Sequence, residues 1–186
     1  MKKITLIYGH PNFQTSRLNK ALIESASHSD FITISNLYEK YPDGKLDIAA
    51  EQALLVDSDL IILQFPFYWF NTTPLMKKWL DEVFLYGFAY GPGGDKIKGK
   101  DLMLTVTTGG DKARYASDAK LSLPELFKPF EYTALYCDMN YQEPFVVSGF
   151  ELSDEALAAQ AEDYANRLNA YIQEGSSALS RFPRTY

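Results

Sequence analysis

Leu60-Ile61-Ile62-Leu63-Gln64-Phe65 constrains this chain more than any other segment. A run that apolar, preceded by Asp57-Ser58-Asp59 and ended by Pro66, reads as a strand buried on both faces. Such a strand belongs inside a parallel sheet, with helices covering both sides. Residues 4–8, 31–34, 102–106 and 143–147 are short β-branched or apolar runs and read as four further strands. Helical spacing fills the intervals. Leu18, Ala21 and Leu22 mark the first helix, and residues 48–56 the second. Pro74 opens the third, with Leu75, Trp79 and Val83 on one face. A fourth runs over 123–136 with Pro129 as an interruption. Ser153 caps the last, where Leu157, Ala161, Tyr164, Leu168 and Tyr171 form the apolar stripe and Gly175 the stop.

Five strands alternating with helices predict an α/β three-layer sandwich with a five-stranded parallel sheet in the order 2-1-3-4-5. One domain over residues 1–175 follows, and residues 176–186 read as a tail without periodicity, loose or swung onto a partner. In this topology a ligand sits outside the carboxyl ends of the strands, where the order switches between strands 1 and 3.

Composition removes several function classes. The 18 basic and 24 acidic residues give a net charge of −6, which offers no general attraction for nucleic acid. A single cysteine and two histidines leave no disulfide and no Cys- or His-rich metal site. No apolar run reaches the ~20 residues that span a bilayer. The start of the chain lacks the pattern of a signal peptide, so a cytoplasmic location is expected. Cys137 reads as an apolar filler and His28 as surface.

Three loops converge at the predicted switch point. The first, His10 to Asn19, opens a helix, whose free N–H groups and dipole form an anion site. Thr15 and Ser16 add hydroxyls and Arg17 adds charge. It lacks the G-x-G-x-x-G of a dinucleotide fold and the G-K-[ST] of a P-loop, which disfavours nucleotide hydrolysis. The second, Pro66-Phe67-Tyr68-Trp69-Phe70, places four consecutive aromatic residues on a loop. They suit stacking against a planar ligand or burial at a subunit interface. The third, Thr107-Thr108-Gly109-Gly110, has paired glycines that permit close backbone approach or positive φ. An anion site, a stacking wall and a glycine wall together describe a flavin mononucleotide pocket.

These segments, with Gly9-His10-Pro11, the stretch from Pro74 to Phe84 and the Gly87-Phe88-Ala89-Tyr90-Gly91 loop, resemble the NAD(P)H:quinone reductase family of flavodoxin-like flavoproteins. The likeness is strongest to its short bacterial members, among them ancillary oxidoreductases of potassium efflux systems and general stress oxidoreductases. The resemblance implies flavin phosphate contacts at Ser16, Arg17, Leu18 and Asn19, with His10 nearby. It implies isoalloxazine contacts at Pro66, Phe67, Tyr68, Trp69, Phe70 and residues 107–110. It implies a homodimer in which Tyr90 covers the partner's site, and a tyrosine, Tyr115, that assists flavin reduction. Longer members carry a histidine six residues beyond that tyrosine, where this chain has Leu121. No segment for an adenosine half is evident, which favours FMN over FAD. The implied activity is ping-pong transfer of two electrons from NADPH or NADH to a quinone. Two alternatives are a regulatory subunit of a potassium efflux antiporter, bringing the chain to the inner membrane face through that partner, and a plain flavodoxin-type electron carrier.

Overall fold

The computed structural model describes residues 1–115 and 122–186. Its sheet has the order β2-β1-β3-β4-β5, with β6 also paired to β4. The strands are β1 (Ile4–Tyr8), β2 (Ile32–Asn36), β3 (Leu60–Pro66), β4 (Asp101–Thr108), β5 (Asn140–Tyr141) and β6 (Phe145–Ser148). All pairings among them are parallel. The helices are α1 (Arg17–Ala26), α2 (Leu37–Lys40), α3 (Ile48–Val56), α4 (Pro74–Val83), α5 (Leu123–Leu126), α6 (Lys128–Tyr136), α7 (Asp154–Glu174) and α8 (Ser176–Leu179). The doubly wound sandwich and its switch between β1 and β3 match the sequence pattern.

The strand period of two assigns side chains to two cores. Ile61, Leu63 and Phe65 of β3 point to the face covered by α3, α4 and α6, where Leu55, Trp79 and Phe130 pack. Leu60 and Ile62 point to the opposite face, with Leu22 of α1 and Leu168 of α7. Every residue of β3 is buried, as the apolar run requires.

Two local readings change and a third gains detail. The fifth strand position is divided: β5 pairs with Asp101 and Leu102, and β6 with Thr105 to Thr108. Pro144 between them has no N–H to donate, so the ladder breaks there. The interruption expected in the 123–136 helix is present: the stretch divides into α5 and α6 at Phe127, and Pro129 sits in the first turn of α6, where no donor is required. The tail is tied down. The Arg167 guanidinium lies between the Phe145 and Phe182 rings and donates to the Pro183 carbonyl at 3.0 Å. The Val146 N–H donates to Thr185 Oγ1 at 2.7 Å.

Two devices fix the elements around the switch point. Glu51, fully buried in α3, accepts from Ser35, Lys40, Tyr41 and Trp79 and so joins β2, α2 and α4. The Thr73 hydroxyl donates to the Gly9 carbonyl at 2.8 Å, pinning the head of α4 to the end of β1. Gly9 permits this approach, because a Cβ there would lie 2.9 Å from Met76 Cε.

Candidate functional site

The carboxyl ends of β1, β3 and β4 open into one cleft of about 300 Å³. Its polar end is built by the loop from His10 to Asn19. Ser16 makes no side-chain cap, so the first-turn N–H groups of α1 keep their donors for a ligand. Thr15, Ser16, Arg17, Leu18 and Asn19 all line the cleft. Arg17 also reaches sideways: its guanidinium donates to Leu152 O and to Asp154 Oδ1, both at 2.6 Å. It thereby ties the loop after β6 to α1.

Beneath this end lies a buried polar chain. Asn19, 1% exposed, donates from Nδ2 to Thr107 Oγ1 at 2.6 Å and accepts from Gln64 Nε2 at 3.3 Å. Gln64 Oε1 accepts from the Tyr164 hydroxyl at 3.4 Å, which accepts from Thr105 Oγ1 at 3.1 Å. The parity of β3 and β4 dictates this: Gln64, Thr105 and Thr107 all face α1 and α7. Gln64, the one polar interruption of the apolar run, thus supports the floor of the cleft.

His10 links the polar end to the aromatic loop. Its ring lies 6.4 Å from the Tyr8 ring and 6.4 Å from the Tyr68 ring. Nδ1 accepts from the Asn12 N–H at 3.0 Å, which leaves Nε2 as the proton-bearing nitrogen of the neutral ring. Burial lowers its pKa below the usual histidine value.

Pro66, Phe67 and Tyr68 line the opposite wall, and Thr107, Thr108 and Gly109 the third side. The Phe67 N–H donates to the Thr107 carbonyl at 2.8 Å and fixes the two walls together. Trp69 and Phe70 stand outside the lining, at φ +47° and +62° in a turn closed by the Asn71 N–H on the Tyr68 carbonyl at 3.0 Å. That turn throws the Trp69 ring into solvent, 93% exposed, and sets the Phe70 ring edge-on behind Phe67 at 6.3 Å. Of the aromatic run, Phe67 and Tyr68 form the wall and Phe70 supports it.

The paired glycines adopt no positive φ. Gly109 instead makes room for Phe150, whose ring would stand 2.6 Å from a Cβ there. Gly110, outside the lining, makes room for the Arg114 side chain and the Tyr115 ring. Phe150 completes the cleft. Sequence reasoning missed it, although the loop after the last strand is also a carboxyl end and the same rule covers it.

Two predicted residues lie elsewhere. Tyr115 lines a neighbouring cavity with Lys112, Ser122 and Tyr186, one step past the glycine wall. Leu121, where longer relatives have a histidine, falls outside the described residues. Tyr90 lines a separate apolar depression between α4 and α6, with Leu80, Phe84, Tyr132, Leu135 and Tyr136. Cys137 is buried, and burial pushes its thiol up to about 11, which suits an apolar filler.

A family model described as a flavodoxin-like fold matches residues 2–172. The glutathione-regulated potassium-efflux system ancillary protein KefF of Citrobacter koseri is 44% identical over 169 residues, 90% of this chain and 96% of that protein. General stress protein 14 of Treponema denticola, solved in complex with FMN, is 41% identical with a TM-score of 0.86, covering 90% of this chain and 98% of that one. An NADPH-quinone reductase from P. pentosaceus is 28% identical with a TM-score of 0.81, over 88% of this chain and 96% of that one.

Proposed function

This chain belongs to the flavodoxin-like fold family, and on that premise we propose that it is an FMN-dependent oxidoreductase moving two electrons from NADPH or NADH to a quinone-type acceptor. The observation that carries this is the cleft's polarity. Unpaired first-turn N–H groups and the Thr15 and Ser16 hydroxyls stand at one end, and Phe67 and Tyr68 at the other. The polar end fits a phosphate and the aromatic wall fits a fused planar ring. FMN bound there would supply hydride chemistry, by which NAD(P)H and one proton reduce a quinone to its hydroquinone. Donor and acceptor would use the flavin in turn, a ping-pong order. FMN in a homologue with a TM-score of 0.86 supports the choice of cofactor, and the NADPH-quinone reductase neighbour supports the reaction class.

The chain's own residues would do three things. First-turn N–H groups hold the phosphate, Asn19 and Thr107 fix the floor, and Phe67 with Tyr68 orients the ring. We assign proton donation during flavin reduction to Tyr115, which lines the neighbouring cavity next to Gly110. We assign the Tyr90 depression to a homodimer contact. Tyr132, Leu135 and Tyr136 around it are 67%, 57% and 71% exposed, an apolar patch that water disfavours.

A second reading is favoured by the KefF relative: an ancillary subunit of a potassium efflux antiporter. Among the described residues no helix is long and apolar enough to cross a membrane, so a cytoplasmic chain would reach the membrane through that partner. The test is an absorbance spectrum of the FMN-loaded protein under anaerobic conditions, before and after NADPH or NADH. Loss of the flavin band near ~450 nm, restored by a quinone, is expected. Bound flavin untouched by either donor would remove the enzyme reading and leave the ancillary one. No flavin binding would remove both the cofactor and the reaction.

A further inference from the structure

We propose that the Arg17 side chain positions Phe150 on the wall of the cleft and leaves the phosphate to the N–H groups and hydroxyls around it. This rests on the reading of the cleft as an FMN site. A cation at the start of α1 would ordinarily be assigned to an anion bound there. The guanidinium is turned elsewhere. Its Nη2 donates to the Leu152 carbonyl and to Asp154 Oδ1, both at 2.6 Å, and its Nη1 to the Phe150 carbonyl at 3.4 Å. Both Nη2 protons are thereby used, and the Asp154 carboxylate offsets the charge. As an exposed ion pair this contact stabilises little. As a hold on one loop it is directional, because the guanidinium is a rigid planar fork.

The loop runs from β6 to α7. Its entry is fixed by the Gly149 N–H on the Thr108 carbonyl at 3.0 Å, and Gly149 takes φ +96°, a turn that suits glycine. Its exit is fixed by Ser153, whose hydroxyl caps α7 by accepting from the Ala156 N–H at 3.2 Å. Between these points, among the described residues, the Phe150 and Leu152 carbonyls are bonded by Arg17 alone.

Phe150 is exposed, yet its ring has a defined place. It lies where a Cβ on Gly109 would stand 2.6 Å away, so it covers the glycine wall. There it lines the cleft together with Thr15, Ser16 and Arg17. A ring left in water at a cleft wall gains its burial when a ligand fills the cleft. Phe150 is thus a further flavin contact, and Arg17, acting through it, is a positioning residue.

The test titrates FMN and riboflavin, by flavin fluorescence, into wild type, Arg17→Ala, Phe150→Ala and the double variant. Riboflavin keeps the ring system and lacks the phosphate. Losing a phosphate ligand raises the FMN Kd alone, whereas losing a positioning residue raises both. Each single variant should raise both Kd values about fivefold or more, with their ratio held within about twofold. The double variant should bind like the weaker single one, since the two residues act as a unit. A rise confined to FMN in Arg17→Ala would overturn the proposal. So would an unchanged Kd in either single variant, or effects that multiply in the double one. If Arg17→Ala does not fold, Arg17→Gln, also uncharged, is judged by the same outcomes. Should the wild type bind neither flavin, the FMN reading fails separately. Chymotrypsin, which cleaves after exposed aromatic residues, then decides on the flavin-free proteins. Faster cleavage after Phe150 in Arg17→Ala upholds the hold on the loop, and equal rates end it.

Discussion

The two ends of the cleft are built on opposite physical plans. The polar end rests on a bonded chain: Asn19, Gln64, Thr107 and Tyr164 form one hydrogen-bonded run under it, and no residue of that loop holds positive φ. The aromatic end is the reverse. Trp69 and Phe70, neither of them glycine, hold positive φ, and Trp69 is almost wholly in water. Each such residue costs about 1–2 kcal/mol against an ordinary conformation. One end is rigid because its polar groups have partners. The other is held in a strained turn by what surrounds it, chiefly the Phe67–Thr107 backbone bond and the pin of Thr73 on Gly9. Strain persisting at a site rim, with a large ring left exposed, fits a segment shaped for recognition more than for stability.

If that contrast holds, mutations at the two ends should fail differently. Asn19→Ala removes a buried amide and the donor to Thr107 Oγ1, while Gln64 keeps the Asn19 backbone carbonyl, so it should lower stability by about 2 kcal/mol. Urea unfolding of the flavin-free protein checks this, and a shift in midpoint at constant slope is the expected form. A loss under ~0.5 kcal/mol would mean that the polar chain relaxes and the rigid end is not rigid. At the aromatic end, Tyr68→Ala should weaken FMN binding by about 1 kcal/mol with little effect on folding. Trp69→Gly should go the other way on stability, gaining about 0.5 kcal/mol as relief of the left-handed conformation outweighs glycine's entropy. A destabilised Trp69→Gly would show that the exposed ring has a contact that holds the turn, and the contrast would collapse.

How much of this was written in the sequence differs between the same two regions. The sheet order and the polar end were legible because each depends on local signals: an apolar run buried on both faces, a helix start, hydroxyls at the right spacing. Eleven of the fourteen expected cofactor contacts line the cleft, and the three that do not, Trp69, Phe70 and Gly110, lie at its aromatic and glycine edges. A run of four aromatic residues tells that rings are present. It does not tell that two of them take positive φ, and that conformation alone decides which rings face the ligand. Likewise Gly109-Gly110 read as backbone freedom, yet Gly109 makes room for the Phe150 ring and Gly110 for the Arg114 side chain. Phe150 is far from both glycines in sequence, and only the closed sheet brings it there.

His10 gives the finest probe, since it touches both ends at once. Its Nδ1 accepts from the Asn12 N–H, and protonation would put a hydrogen where that donor points. Burial already holds the folded pKa below the ordinary 6.5. The sign follows from linkage: the unfolded chain takes up the proton more readily, so the bond's contribution is complete above pH 6.5. It is lost as pH falls from 6.5 toward the lower folded value. Other groups titrate in the same range, so the difference between wild type and His10→Gln isolates this one. His28, exposed on the surface, is common to both proteins. Unfolding of the flavin-free forms at pH 7.5 and 5.5 should show the wild type losing stability relative to His10→Gln on acidification, by the smallest margin of these effects. Flavin binding should weaken in the same direction, because the ring that rests between Tyr8 and Tyr68 would be released from its anchor. Parallel pH curves for the two proteins would mean that the polar and aromatic ends are not coupled through His10. The contrast between them would then be one of two independent walls that happen to share a ligand.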